Sequence, residues 1–124
     1  MFDKKDALKL WESEMGNREY AYDFSGKKIK KSDYMIDNQV GWVIGYVKPT
    51  EIGGPTHIGN IIIMHYRTNE EKGLDYPKFK IVNTEYMAYY DEKNDSYYIK
   101  WLYVYNHLKL IIDFITLKWY SIKV

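Results

Sequence analysis

The chain has 124 residues, 46% of them apolar and 28% charged, the profile of one globular domain with a core of its own. It holds no cysteine and three histidines beside fourteen tyrosines, which excludes disulfides, thiolate metal sites and a cysteine nucleophile and leaves little capacity for an imidazole metal site. A formal net charge of +1 excludes a globally basic nucleic-acid binder and a globally acidic nucleic-acid mimic, but allows local patches.

In chain order, Leu8, Trp11 and Met15 fall at helical spacing and predict an amphipathic helix over Lys4 to Met15. Asp3 is its N-cap, with Asp6 three residues on, and Gly16-Asn17 its stop. The alternation around Tyr20, Tyr22 and Phe24 predicts a short strand, and Ser25-Gly26 a turn. Lys27, Lys28, Lys30 and Lys31 then surround Ile29. They read as a solvated edge strand, where lysines discourage edge-to-edge pairing, or as a patch facing phosphates or acidic groups.

Val40 to Val47 is β-branched and aromatic and predicts a strand. Pro49, Gly53, Gly54, Pro55 and Gly59 mark a loop from Lys48 to Gly59, and Ile58 to Met64 predicts the next strand. Asn69 to Gly73 is compatible with a short helix, ended by Gly73 and then Pro77. Phe79, Ile81 and Asn83 share one face of a further strand. The Tyr-rich runs Glu85 to Tyr90 and Tyr97 to Tyr105 predict a β-hairpin around the polar turn Asp91 to Ser96. Leu108 to Val124 is apolar and reads as a strand pair or as a helix followed by a strand.

No P-loop, nucleophile elbow or helical pair of histidines is present. The stretch Gly41 to Lys72 carries the informative pattern. Gly41-Trp42 leads into a strand, Pro49 and Gly53-Gly54 lie in the following loop, Asn60-Ile61 opens the second strand, and Asn69 precedes Glu71-Lys72. This order resembles the core of the HNH, or ββα-metal, endonucleases. Upstream, a Leu-Trp helix, Asp23-Phe24-Ser25-Gly26 and Lys28 to Lys31 resemble the N-terminal part of a bacterial subset of that family. The resemblance covers about residues 7 to 85 and implies an α+β fold: an N-terminal helix, a ββα HNH-like core at about 38–77, and a Tyr-rich β extension at about 79–124. The whole is read as a single domain over residues 1–124.

The resemblance also places the family's Asp-His pair, metal ligand and general base, on Gly45 and Tyr46. Glycine offers no ligand, and a phenol that titrates near 10 is a poor base at neutral pH. Asn60 falls where the family orients its base and Asn69 where it places a last metal ligand. One neutral amide does not hold a hard cation, which prefers carboxylates. Loss of a general base costs about 10²- to 10⁴-fold, so the expectation is a protein without HNH cleavage, metal or other cofactor. A displaced site using Glu51 or His57 is a further reading. His65 is expected in a strand near the core, hydrogen-bonded.

Function is then expected from binding. Exposed tyrosines are enriched in binding surfaces, which singles out Tyr86, Tyr89, Tyr90, Tyr97 and Tyr98 together with Tyr103 and Tyr105. Stacking of single-stranded bases is a weaker reading of the same rings. Free-standing HNH proteins are carried by phages and mobile elements. The resemblance therefore implies a counter-defence protein of the anti-CRISPR type that binds a host RNA-guided nuclease. The alternative is a non-cleaving DNA-binding remnant that holds duplex through Lys27, Lys28, Lys30, Lys31 and Arg67. The charged N-terminus and the shortness of the apolar runs point to a cytoplasmic location without a membrane partner.

Overall fold

The computed structural model describes residues 2–107, in an α+β architecture. Helix α1 (Lys4–Met15) starts where Asp3 accepts a hydrogen bond from the Asp6 amide at 2.8 Å and stops at Gly16, whose φ is 71°. It buries Ala7 and Trp11. Strands β1 (Tyr20–Tyr22) and β2 (Lys28–Lys30) pair antiparallel with Ala21 opposite Ile29. Those two residues turn inward, so Tyr20 and Tyr22 are left outside.

Strands β3 (Trp42–Tyr46) and β4 (Ile61–His65) form an antiparallel ribbon, with Gly45 opposite Ile62 and Tyr46 opposite Ile61. Helix α2 (Tyr66–Lys72) follows directly. It begins three residues before the expected Asn69, because His65 Nδ1 accepts the Arg67 amide at 3.0 Å and caps it. The second strand begins late, at Ile61. Residues Ile58–Asn60 make a 3-10 turn in which His57 Nδ1 accepts the Gly59 amide at 3.1 Å.

A three-stranded antiparallel sheet follows: β5 (Lys78–Ile81), β6 (Thr84–Asp91) and β7 (Ser96–Trp101) in that order. The expected strand over Tyr97 to Tyr105 is shorter. Trp101 pairs with Tyr86, close to the start of β6, so little partner strand remains beyond it, and residues 102–107 are helical. Tyr103 and Tyr105 thereby leave the sheet. Asn83 does not share the buried face of Phe79 and Ile81; it is exposed in the turn between β5 and β6. The reading of Leu108 to Val124 falls outside the described residues.

Two apolar clusters flank the β3–β4 ribbon. One joins Ala7, Trp11, Ala21, Ile29, Trp42 and Ile63. Its ring centroids lie 5.0 Å apart for Trp11–Trp42 and 4.8 Å for Tyr34–Trp42. The other joins Val47, Phe79, Ile81, Tyr86 and Ala88, with Ile62 packed against it. Phe24 stands edge-on to Phe79 and Tyr86 at 5.8 and 5.1 Å, so the turn after β1 reaches the second cluster. Each fully buried large side chain contributes about 1.5–3 kcal/mol relative to exposure, and Trp11 and Trp42 anchor the first cluster on that basis.

Candidate functional site

Alternation along β3 turns Gly45 toward α2 and Tyr46 to the opposite face. The side chain that a residue at 45 would carry has no room as the protein stands. A Cβ built there meets Met64 Cε and lies 3.0 Å from Asn69 Oδ1. Positions 45 and 69 are therefore neighbours, and a methionine methyl fills the gap between them. Tyr46 does not join them.

Asn60 is fully buried and holds the long loop between β3 and β4. Its Oδ1 accepts the Lys48 amide at 2.8 Å, and its Nδ2 donates to the carbonyls of Lys48 and Pro55 at 2.9 and 2.8 Å. Every polar atom of the amide is used inside the loop, which makes Asn60 a staple. His65 is buried, with Nε2 at 2.8 Å from the Gln39 carbonyl and Nδ1 engaged by the helix cap. The first contact fixes the proton on Nε2, since a carbonyl only accepts.

Asp23 is a second buried knot. Its Oδ1 accepts from the Ser25 amide, the Ser25 hydroxyl and the Lys27 amide at 2.9, 2.7 and 3.0 Å, and its Oδ2 accepts the His65 amide at 3.0 Å. One carboxylate thus ties the β1–β2 turn to the end of β4. Glu51 and His57 do not converge. Glu51 accepts from Thr50 Oγ1 at 2.9 Å, while His57 Nε2 faces Asp95 Oδ1 at 3.6 Å. Among the described residues, no group of three or more His, Cys, Asp or Glu side chains is placed to hold a metal ion.

The basic stretch is largely neutralised in place. Lys27 faces Glu71 at 3.7 Å, Lys30 faces Glu19 at 3.8 Å, and Lys31 faces Glu12 at 3.2 Å. Lys28 lies over the Tyr20 ring, 4.5 Å from its centroid. Exposed pairs of this kind add little stability, yet they lower the positive field that a phosphate backbone would meet.

The tyrosines divide between two faces. Tyr86 is 4% exposed and Tyr97 packs against the same cluster, so Tyr86 has almost no surface to offer a partner. Tyr90 donates its hydroxyl to Asp95 Oδ1 at 2.6 Å, and that carboxylate pushes the phenol up to about 12. Tyr89 and Tyr98 face outward as a cross-strand pair with centroids 5.7 Å apart, and Tyr105 adds to Tyr89 at 5.8 Å.

Sequence reasoning missed two features. Lys72, at 2% exposed, is buried although it ends a charged Glu-Glu-Lys run. Its ammonium lies 3.3 Å from the Asp75 carbonyl and 5.1 Å from the centroid of the Phe79 ring. Burial pushes the amine down to about 8, with the Asp75 charge opposing. The second is a groove of about 410 Å³ where α1, β1, β4 and β7 meet. Leu10, Met15, Phe24 and Ile61 line it, with Tyr22 and Ile58 exposed beside them. No local pattern predicts that groove, because its walls come from four separate elements.

Comparison with family models, with curated proteins and with solved structures returns no match. Among the described residues no helix is long and apolar enough to cross a membrane.

Proposed function

We propose that this chain is a non-cleaving relative of the HNH proteins that acts by binding. Its target in this reading is an RNA-guided nuclease of a bacterial host, so that it works inside the host cell as an anti-CRISPR-type inhibitor from a phage or mobile element. The observation that carries the reading is the Gly45 position. The order of two antiparallel strands, a long loop and a helix brings residues 45 and 69 together. In this reading the place of the family's metal-binding carboxylate is filled by the Met64 methyl that a Cβ at Gly45 would meet, with the neutral Asn69 amide beside it. A hard cation needs several oxygen ligands, carboxylates first, and a hydrolytic site needs a base within reach of its water.

Binding to a protein fits the surface better than binding to duplex DNA through the basic stretch. Three of its four lysines already face carboxylates. The groove beside the exposed Tyr22 and Ile58, lined by both apolar and polar side chains, offers a concave surface to a protein partner. The test pairs two assays on pure protein. Supercoiled plasmid with Mg²⁺ or Mn²⁺ is expected to stay intact, and target cleavage by a purified RNA-guided nuclease is expected to stop. That inhibition should persist between about 50 and 200 mM salt, where phosphate-driven binding weakens steeply. Metal-dependent nicking abolished by His57→Ala would overturn the reading in favour of a displaced active site. Steeply salt-dependent binding of duplex DNA without inhibition would overturn it in favour of a DNA-binding remnant.

A further inference from the structure

The outward face of the β5–β6–β7 sheet carries cations that the basic stretch does not. Register places Lys78, Met87 and Lys100 in one row across the three strands, Lys80 beside Glu85 in the row on one side, and Tyr89 beside Tyr98 in the row on the other. Among the described residues, none of these three lysines lies within ion-pair distance of a carboxylate. Two carboxylates occupy outward positions of β6, Glu85 and Asp91. Asp91 is taken up by its own turn, accepting from the Lys93 amide and the Asn94 side chain at 3.0 and 2.7 Å.

Strand spacing sets the scale. Lys78 and Lys100 stand about 10 Å apart across two strand gaps, and the tyrosine row lies about 7 Å farther along the strands. Tyr105 covers one side of Tyr89, which leaves Tyr98, 40% exposed, as the open end of the aromatic row. Trp101, paired with Tyr86, belongs to the opposite face of the sheet. Cations beside an accessible aromatic ring are what a single strand of nucleic acid uses: charge for its phosphates and a flat apolar face for an unstacked base.

We infer that this face binds single-stranded nucleic acid, with Lys78, Lys80 and Lys100 along the backbone and Tyr98 as a stacking platform. The Lys78–Lys100 row, with Lys80 beyond it and the open aromatic end at Tyr98, suits a flexible chain whose bases are free to turn onto the ring. A duplex keeps its bases stacked on one another and offers the rings nothing. This inference does not rest on the inhibitor reading, and either one stands if the other fails.

The test is fluorescence anisotropy of labelled oligouridine and oligothymidine, and of a duplex of the same length, with the full chain. Single strands are expected to bind and the duplex to bind more weakly. Tyr98→Ala should weaken single-strand binding by about 5- to 150-fold, the range for one stacked base. Lys78→Ala with Lys100→Ala should make the logarithmic salt dependence shallower by about 1.4, since each phosphate contact on a single strand contributes about 0.7. Lys28→Ala, on β2, should leave binding unchanged, and the urea midpoint of each variant checks that it folds. Three results would each overturn the inference. They are no single-strand binding at about 50 mM salt, equal or tighter duplex binding, or binding that survives the Lys78, Lys100 and Tyr98 substitutions in folded protein. Binding of polyglutamate that matches oligouridine and ignores Tyr98→Ala would assign the face to an acidic protein instead, and so also overturn it.

Discussion

Lys72 offers a test of the packing by pH alone. Its amine is buried against Phe79, with the Asp75 carbonyl at 3.3 Å as its hydrogen-bond partner, and its pKa falls from 10.5 to about 8. That fall corresponds to about 3 kcal/mol of destabilised charge, at about 1.4 kcal/mol for each factor of ten. The sign follows from proton counting. Between pH 8 and 10.5 the unfolded chain holds a proton on Lys72 that the folded chain has released, so stability rises with pH across that window. Below about pH 8 the folded protein carries the whole cost. Replacing Lys72 with methionine keeps an unbranched chain over Phe79 and removes the charge. Lys72→Met is expected to be more stable than the parent at pH 7 by about 1–3 kcal/mol, since removing an imperfectly compensated buried charge is stabilising. The advantage should shrink by about 2 kcal/mol on going to about pH 9.5. Urea titrations of both proteins at a series of pH values measure this directly. Taking the difference cancels the opposing trend from tyrosines whose pKa values are raised by burial, such as Tyr34, Tyr76 and Tyr86. A stability difference that stays constant from pH 7 to about 9.5 would refute the reasoning.

The remaining predictions concern the loop, the ribbon and one strained turn. Asn60→Ala removes three partly buried hydrogen bonds, leaves the Lys48 amide without its partner, and should cost about 1–3 kcal/mol in urea denaturation. Asn60→Asp should be no milder, because a carboxylate cannot donate to the carbonyls of Lys48 and Pro55. Val82, a β-branched residue at φ 57°, is exposed, so Val82→Gly should stabilise by about 1 kcal/mol, read as a rise in thermal midpoint. Gly45→Ala should cost about 1–2 kcal/mol by crowding Met64 and Asn69. With Met64→Leu, which lacks the Cε atom, the double-mutant cycle should recover at least about 0.5 kcal/mol of that cost.

The local signals in the sequence carried well where one element answers to itself. Asp3 caps α1 and Gly16 ends it. Trp11, read from helical spacing, is at the centre of a cluster. The signals failed where a residue's state depends on a distant element. Lys27, Lys30 and Lys31 look like a patch in isolation, but their partners Glu71, Glu19 and Glu12 come from α2, the segment before β1, and α1. Lys72 reads as surface because its neighbours Glu70 and Glu71 are exposed, while Phe79 and the Asp75 carbonyl arrive from beyond the helix to enclose it. Tyr98 and Tyr86 are indistinguishable in a Tyr-rich run, and only cross-strand register assigns one to the surface and the other to the core. The Gly45–Asn69 proximity spans a loop whose course is set by the Asn60 amide and not by any periodic pattern.

The unequal distribution of chromophores has a practical outcome for any unfolding experiment. Trp11 and Trp42 share the cluster around α1, whereas the cluster under the three-stranded sheet holds Phe79 and Tyr86. Trp101 lies on β7, so in a Trp101→Phe, Trp119→Phe background indole emission comes from the buried pair and watches one half of the interior, while a tyrosine signal from the sheet watches the other. If the two halves melt as a unit, the optical traces superimpose. If the sheet lets go first, the indole trace lags, and the order of events is visible without introducing a label.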